Sequence, residues 1–399
     1  MSNSRMIDFG RGLVAACLLS VSAVAFASEQ PPTLAIGAAM PPFSLPGIDG
    51  KTYTDKSFAK ADILVMVFTC AHCPTAQAYQ ERIKKLVTDY SPKGVKLVAI
   101  NPNHPDSVRL DELAYSDLSD SFDEMKERAK QEKFNFVWLD DGPKQELGHK
   151  MGPVATPHVF IFDKARKLRF EGRIDDSERE SLATSFDTRN ALDALVAGKE
   201  PPVTSTRVFG CSVKWADKVA EYAKFKERWA AEPVTLEKAD VATMKAIRAN
   251  KDSGGKLRFI NVWATWCGPC IAEFDELVEH NLRFRIRPFE MVTIAAEFPD
   301  QEATVKEFLT KKHASTKNYI LASDKKDELF DALDSATVWK GELPYTIIVN
   351  EKGEVVYRER GALSFLKMRR AIVPELNRIK PWGGLSPIKP NAAPKTAAN

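Results

Sequence analysis

Cysteines are the residues of this sequence whose type and spacing could do chemistry. Cys267 and Cys270 are spaced C-x-x-C with Gly-Pro between them, after a strand-forming run at residues 259–263 and before an amphipathic run at residues 271–282. A thiol at the start of a helix is favoured as a thiolate by the helix dipole and the free N–H groups there. The pattern therefore predicts a redox-active dithiol at the exposed start of a helix, with Cys270 one turn after Cys267.

The elements expected around this pair occur a second time, earlier in the chain. An apolar run at residues 63–69 leads directly into Cys70 and Cys73, which have the same spacing, and apolar residues follow at helical intervals. Strand candidates further along also match between the two copies, residues 95–101 in the first and 290–296 in the second. A proline opens a later strand candidate in each copy, Pro157 and Pro344. The chain is therefore predicted to hold two domains of one kind in tandem, the first longer in its middle.

Length, composition and charge limit the number of domains and the kinds of partner to be expected. The chain has 399 residues, of which 44% are hydrophobic and 28% charged, and its formal net charge is +3. This length is enough for two domains of ordinary size. The nearly balanced charge gives no indication of a nucleic-acid partner, and none is expected.

Both halves of the chain resemble known families. WATWCGPC resembles the TlpA-like branch of the thioredoxin superfamily, over about residues 234–377. VMVFTCAHCP, AINPN, TPHVFIFD and VFGCSVKW resemble the redoxin family, which is related to AhpC/TSA proteins, over about residues 33–215. The resemblance implies an α/β fold class, with two tandem thioredoxin-like domains that each contain a central mixed β-sheet flanked by helices.

The resemblance also implies roles for particular residues. By this likeness the protein is an enzyme, a thiol-disulfide oxidoreductase, with redox-active disulfides and no other cofactor. In each domain it implies one attacking and one resolving cysteine, a substrate-binding dipeptide with a cis proline, and residues that tune the thiol pKa. The attacking cysteines would be Cys70 and Cys267, the resolving cysteines Cys73 and Cys270, the dipeptides Thr156-Pro157 and Leu343-Pro344, and the tuning residues His72, Trp266 and Pro269.

Two departures from the families matter for mechanism. Thioredoxin has a buried Asp six residues before the first cysteine, whereas Leu64 and Asn261 stand here, so the proton acceptor is not identified. Peroxiredoxins carry Thr or Ser three residues before the reactive cysteine, whereas Val67 precedes Cys70 by three and Cys70 precedes Cys73 by three. This departure argues against peroxidase activity, and a thiol peroxidase is kept as an alternative function.

A second alternative is a copper- or zinc-binding metallochaperone. His72 lies between the first two cysteines and His158 follows Pro157, so the fold would bring Cys70, Cys73, His72 and His158 together. Thiolates and imidazoles suit Cu(I) or zinc. Copper-delivering relatives use a different spacing, and the main prediction includes no metal.

The N-terminus predicts export. Arg5 and Arg11 precede an apolar run at residues 13–26, and Ala-Phe-Ala ends it, which is the order of a secretory signal. The mature protein is expected to be soluble in the periplasm. There it would meet exported protein thiols and disulfides, with a membrane thiol reductase as electron donor.

The boundaries follow from these features. They are a signal peptide at 1–27, a first domain at 33–200, a linker with an amphipathic helix at 201–233, a second domain at 234–377 and a disordered tail at 378–399. Residues 203–209 are a strand candidate, and the acidic stretch 105–124 is interpreted as a solvated loop, with partner recognition as the alternative. Cys211 is either an inert buried thiol or a third redox thiol that resolves Cys70 or pairs between chains.

The two dithiols are expected to differ in reduction potential, because Ala-His separates one pair and Gly-Pro the other. A relay would pass electrons from Cys267 and Cys270 to Cys70 and Cys73. Two independent reductases on one chain are the alternative.

Overall fold

The computed structural model describes residues 30–335 and 337–384. The predicted signal peptide lies outside these residues, and so does the predicted tail after residue 384. Within the described residues, no helix has both the length and the apolar character needed to cross a bilayer.

The first domain is built on a five-stranded mixed sheet of order β5-β4-β3-β7-β8. Its strands, with the hairpin that precedes them, are β1 Ser44–Pro46, β2 Thr52–Thr54, β3 Ile63–Phe68, β4 Val95–Asn101, β5 Val137–Asp140, β6 Ala155–Thr156, β7 His158–Phe162 and β8 Leu168–Gly172. Its helices are α1 Pro74–Tyr90, α2 Phe122–Gln131, α3 Glu146–Met151 and α4 Asp187–Val196. Every residue of β3 is buried, as expected for an unbroken apolar run at the centre of a sheet covered on both faces.

A linker joins the two domains through a short strand, β9 Cys211–Ser212, and a helix, α5 Val219–Ala230. The amphipathic helix is confirmed, and Tyr222 is its buried residue. The strand predicted at residues 203–209 is wrong: Ser205 makes one bridge to Glu171, and the strand comes later, at β9.

The second domain contains a six-stranded mixed sheet of order β10-β13-β12-β11-β14-β15. Its strands are β10 Glu237–Ala239, β11 Leu257–Trp263, β12 Phe289–Ala295, β13 Lys317–Leu321, β14 Tyr345–Val349 and β15 Val355–Arg360. Its helices are α6 Val241–Ala249, α7 Gly268–Phe284, α8 Glu302–Lys311, α9 Lys326–Leu333 and α10 Phe365–Ile379. Aromatic contacts hold α7 on the sheet, including an edge-to-face pair between Trp263 and Phe274 at 4.7 Å.

The acidic stretch 105–124 packs between the domains, so its interpretation as a solvated loop is wrong. Arg283 donates to the backbone oxygens of Leu113 and Ser116, at 3.1 and 2.5 Å. From α10, Arg369 donates to the backbone oxygen of Asp117 at 2.6 Å. The partners lie more than a hundred residues apart in sequence, so the sequence pattern of this stretch could not reveal the interface.

The described start of the predicted disordered tail is ordered. Helix α10 continues to Ile379, and Trp382 packs edge-on against Tyr115 with ring centroids 4.9 Å apart. Arg287 also donates to the backbone oxygen of Lys380 at 2.7 Å. Residues 378–384 therefore complete the domain interface, which corrects the predicted boundary at 378.

Candidate active sites

The second site contains a disulfide at the start of a long helix. Cys267 and Cys270 are bonded, with an S–S distance of 2.12 Å and a Cα–Cα distance of 5.3 Å. Cys267 is the residue immediately before α7, and the backbone N–H of Cys270 donates to its sulfur at 3.4 Å. Cys267 is 7% exposed whereas Cys270 is fully buried, so Cys267 offers the sulfur nearer to solvent.

The surroundings of this disulfide include the residues expected there. The Leu343-Pro344 peptide bond is cis, as predicted, and opens β14 beside the strand that leads to the cysteines. Trp266, directly before Cys267, is 63% exposed, and the ammonium of Lys326 lies 5.8 Å from its ring centroid. An exposed tryptophan beside a reactive sulfur provides apolar surface for an incoming chain.

Two buried carboxylates belong to the elements around this disulfide. Glu273 is buried on α7, and one of its carboxylate oxygens accepts the backbone N–H of Leu363 at 2.9 Å. Burial raises the pKa of Glu273 above its ordinary value, against the opposing effects of the Leu363 N–H and of Asn261. Glu273 is not among the site residues predicted from the sequence. Its signal was an acidic residue three positions after Cys270, hence on the same helix face.

The loop that leads into Cys267 is held by a second buried carboxylate. Glu297 accepts hydrogen bonds from the backbone N–H and the hydroxyl of Thr265, at 2.5 and 2.7 Å. Glu297 follows β12, the neighbour of β11 in the sheet. The position of the Cys267 backbone is therefore fixed from the sheet as well as from the helix.

In the first site the helix begins after the second cysteine of the C-x-x-C motif, whereas in the second site it begins after the first. Helix α1 begins at Pro74, so Cys73 caps it, and the backbone N–H of Ala76 donates to the Cys73 sulfur at 3.4 Å. Cys267 caps α7 in the same way, and both helices have 17 residues. Proline is favoured at the first position of a helix, which explains why the helix starts after the second cysteine.

The sheet register gives the same correspondence. The residue after each cis proline pairs with the strand before the site: His158 pairs with Phe68, and Tyr345 pairs with Val262. Cys73 follows Phe68 by five residues, and Cys267 follows Val262 by five residues. Cys73, and not Cys70, therefore corresponds to Cys267. The expected correspondence between Cys70 and Cys267 is therefore wrong, because motif spacing alone does not say which cysteine caps the helix. The roles of attacking and resolving cysteine stay predictions.

Electrostatics favour the same thiol. Burial alone would raise the pKa of Cys73, but hydrogen bonds from the Cys211 and Cys70 thiols and the charge of His72 bring it well below its ordinary value. Burial and the hydrogen bond with Cys73 raise the pKa of Cys70 well above its ordinary value. These effects favour ionisation of Cys73 over ionisation of Cys70.

A buried ion pair lies beside these thiols. Asp120 accepts the backbone N–H groups of Ala71 and His72, and its other carboxylate oxygen accepts the Asn103 amide at 2.7 Å. Burial opposes a charge on His72, but the Coulombic effect of Asp120 and their hydrogen bond raise its pKa. Asp120 is not among the site residues predicted from the sequence, because an acidic, serine-rich stretch such as 105–124 is typical of a solvated loop.

The likeness between the two copies predicts an exposed dithiol at the first site as well, and this prediction is wrong. At the second site only Cys267 reaches solvent, with 7% of its surface. Cys70 and Cys73 are 1% and 0% exposed and are free thiols. Thr156, which precedes the cis Pro157, pairs with Cys211 of β9, so the chain itself occupies the groove predicted for substrate. The Cys73 thiol also donates to the backbone oxygen of Thr156 at 3.5 Å.

The predicted ligand set for copper or zinc is not brought together. The Nε2 atom of His158 lies 2.8 Å from Glu171, and its Nδ1 accepts the backbone N–H of Val154. Both ring nitrogens of His158 therefore already have hydrogen-bond partners, Val154 and Glu171. The chain instead groups Cys70, His72 and Asp120, with ligand atoms within 4.8 Å of one another, but the Asp120 oxygens already hold the hydrogen bonds described above.

Comparison with known proteins agrees with this architecture. The AhpC/TSA family model matches residues 36–171, and the Redoxin model matches residues 237–371. The thiol-disulfide oxidoreductase ResA of Bacillus subtilis is 29% identical over 130 residues, which are 33% of this chain and 65% of the relative. ResA of a Bacillus cereus strain is 30% identical over 106 residues, 27% of this chain and 56% of the relative. The chain thus spans between about half and two thirds of these curated relatives.

Solved structures match about half of the chain. An uncharacterized conserved protein from Geobacillus kaustophilus is 33% identical, with 45% of this chain and 92% of that chain covered and a TM-score of 0.41. A hypothetical protein from Sinorhizobium meliloti 1021 is 26% identical, with 47% and 98% covered and a TM-score of 0.41. The paired sheets and the paired cis prolines agree with two domains of one kind. On the two family models, the chain contains an AhpC/TSA-family domain at residues 36–171, followed in tandem by a Redoxin-family domain at residues 237–371.

Proposed function

We propose that this protein is a thiol-disulfide oxidoreductase that reduces disulfides in exported polypeptides through Cys267 and Cys270. The observation that carries the proposal is the position of the Cys267 sulfur. It caps α7, accepts a backbone N–H from the helix and is the more exposed sulfur of a C-x-x-C disulfide. Curated relatives named thiol-disulfide oxidoreductase support the same activity.

The proposed reaction is a pair of thiol-disulfide exchanges. In the reduced protein, the Cys267 thiolate attacks one sulfur of a substrate disulfide, forms a mixed disulfide and releases the other substrate sulfur as a thiolate. Cys270 loses its proton and attacks the Cys267 sulfur, which releases the second substrate thiolate and forms the Cys267–Cys270 disulfide. We assign the buried Glu273 carboxylate as the acceptor of the Cys270 proton. No cofactor beyond the cysteines enters this scheme.

The proposed substrate groove lies between Trp266 and the cis Leu343-Pro344 bond. An extended polypeptide there would pair with the backbone beside Pro344 and rest on the exposed indole of Trp266. The residues Leu343, Pro344, Trp266 and Pro269 keep the substrate-binding and tuning roles proposed for them. We further propose a periplasmic location from the secretory signal pattern and a membrane thiol reductase as the electron donor.

The test is turnover of a disulfide-bonded polypeptide by single-cysteine variants. Insulin reduction by the full chain, with dithiothreitol as donor, is expected to be lost in Cys267→Ala. A Cys270→Ala variant is expected to accumulate a mixed disulfide between Cys267 and an insulin chain, which mass spectrometry can assign. Cys70→Ala is the matched control, and it is expected to keep turnover. Wild-type turnover by Cys267→Ala would overturn the proposal.

The internal relay remains a separate proposal with its own measurement. It requires the Cys267/Cys270 couple to have the lower reduction potential, so that electrons run from the second domain to the first. Burial of Cys70 and Cys73 beneath the linker favours two independent sites instead. Titration of each couple in a variant that lacks the other decides the order, and a first couple more reducing than the second would exclude the relay.

A further inference from the structure

A third thiol lies beside the first site. Cys211 is half-buried and packs against the buried group of Cys70, Cys73 and Ala76. Strand β9 sets its position, because Cys211 pairs antiparallel with Thr156, whose backbone oxygen also accepts the Cys73 thiol. Three thiols therefore converge on one residue of the substrate groove, although only two of them share the C-x-x-C motif.

The segment that carries Cys211, residues 203–215, is anchored on both sides of it. Upstream, the backbone N–H of Glu171 donates to Thr204 and the N–H of Thr206 donates back to Glu171, at 3.0 and 3.2 Å. Downstream, the Lys214 N–H donates to the Asn103 side chain at 2.9 Å. The segment thus continues from the edge of the sheet across the site, as a bound polypeptide would.

A glycine makes the close approach to Thr156 feasible. Gly210 has φ +144°, a backbone conformation that side chains rarely adopt. A Cβ atom at this position would lie 2.1 Å from the backbone oxygen of Thr156. Any larger residue would push the next residue, Cys211, away from the groove and from Cys73.

We propose that Cys211 is a third redox cysteine, held by the linker in the substrate groove of the first domain, and that it forms a disulfide with Cys73. The inference deepens the proposed thiol-disulfide chemistry and rests on it only for the reaction class. It makes the linker an intramolecular substrate of the first site. The hydrogen bond with Cys73 and burial both raise the pKa of Cys211, which agrees with a protonated thiol facing a thiolate.

The chemistry balances with a small disulfide, such as glutathione disulfide, as oxidant. Cys211, the more exposed thiol, exchanges with the oxidant: its sulfur forms a mixed disulfide, and one glutathione leaves with the proton of Cys211. The Cys73 thiolate then attacks the Cys211 sulfur and expels the second glutathione, which is protonated by solvent. Two electrons pass from the pair of cysteines to the oxidant.

The test maps disulfides in full-length Cys70→Ala, which leaves Cys73 only one partner in the site. The reduced variant is incubated in glutathione redox buffers, quenched with acid, alkylated and digested with trypsin. The expected product joins the peptides 61–82 and 208–214. Oxidation of Cys267 and Cys270 in the same sample is the internal reference for the second site. The result is read once the reference disulfide has formed. If Cys211 is then free, or is bonded to any cysteine other than Cys73, the inference is wrong, and the function proposed for the second site is unaffected.

A second variant tests the groove rather than the thiols. Gly210→Ala in the Cys70→Ala background is expected to slow formation of the Cys73–Cys211 disulfide about tenfold, because the clash with Thr156 displaces the strand. Gly37→Ala is the matched control, since Gly37 has φ +84° but open space around a Cβ. Equal rates in the two variants would overturn the assigned position. If Cys70→Ala does not fold, the same tryptic peptides are prepared from the wild-type protein, and their fragmentation in the mass spectrometer assigns the partner of Cys211. A partner other than Cys73, or a free Cys211, would again overturn the inference.

Discussion

His72 and Asp120 contact each other at two points. One carboxylate oxygen of Asp120 accepts the backbone N–H of His72 at 3.0 Å, and the other lies 2.6 Å from the imidazole Nδ1. Both side chains are 1% exposed. The pair therefore fixes the imidazole of His72 within the C-x-x-C segment of the first site, and the positive charge of its protonated form favours ionisation of Cys73.

This pair predicts a particular dependence of stability on pH. The pKa of His72 is raised in the folded protein, so its contribution to the free energy of unfolding is complete below about 6.5 and is lost as pH rises through the raised value. The pKa of Asp120 is lowered, so its contribution is complete above about 3.8 and is lost as pH falls through the lowered value. The contribution of the pair is expected to be largest between these limits.

Asp120→Asn removes that contribution. The substitution leaves His72 buried without its counter-charge. The free energy of unfolding, measured with urea near pH 6, is therefore expected to be about 3–5 kcal/mol lower than in the wild type. The part of the pH dependence due to the pair should disappear as well. Asp123→Asn, in the same stretch but paired with Lys126 at the surface, is the control and should change little. Equal stability of the two variants would contradict the buried ion pair.

Arg369 is predicted to stabilise the contact between the two domains. It is buried, donates to the backbone oxygen of Asp117 and lies 2.5 Å from Glu124. Arg369→Ala is expected to lower the free energy of unfolding by about 2–4 kcal/mol, because Glu124 loses its partner within the interface. Thermal unfolding of the variant should also separate into two transitions.

Arg378 provides a matched control on the same helix. It too is paired with carboxylates, Glu351 and Glu375, but at the surface. Exposed pairs of this kind contribute about 0–1 kcal/mol, so Arg378→Ala is expected to unfold almost as the wild type does. A single unchanged transition in both variants would argue against a stabilising interface at Arg369.

Much of the fold could be predicted from the sequence because its strands are unbroken apolar runs. The strand predicted at residues 95–101 is confirmed at both ends as β4, and β11 extends its predicted run, residues 259–263, by two residues at the start. Both cis prolines are confirmed as well. These features depend on local composition and on a motif that recurs in both copies, and both are visible in the sequence.

The rest depended on contacts between distant residues. The first site is buried because Cys211 pairs with Thr156. The interface between the domains forms because arginines of α7 and α10 bind the acidic stretch 105–124. No local periodicity carries such information. The start of α1 is a different case, since Pro74 is a visible signal that Cys73 caps the helix. The C-x-x-C spacing by itself favours the first cysteine, and the two signals conflict.

Trp266 is predicted to bind substrate rather than to stabilise the fold. Its indole is 63% exposed beside Cys267, so Trp266→Ala removes apolar contact area available to a polypeptide. The KM for insulin reduction is expected to rise about tenfold, with thermal stability nearly unchanged. Ile286→Ala is the control, because Ile286 is also a largely exposed apolar residue of this domain. A similar KM for both variants would remove Trp266 from the proposed groove.

Glu273 is predicted to accept the proton of Cys270 when the mixed disulfide is resolved. Burial raises the pKa of this carboxylate, and the resolution rate in single-turnover reactions should rise as pH increases through that raised value, because the ionised form is the base. Glu273→Gln is expected to slow resolution about 100-fold and to abolish this pH step, whereas formation of the mixed disulfide by Cys267 stays fast. Asp275→Asn, which alters an exposed carboxylate of the same helix paired with Lys312, should preserve both rate and profile. If the pH step survives in Glu273→Gln, the proton goes elsewhere and the buried carboxylate only supports the loop at Leu363.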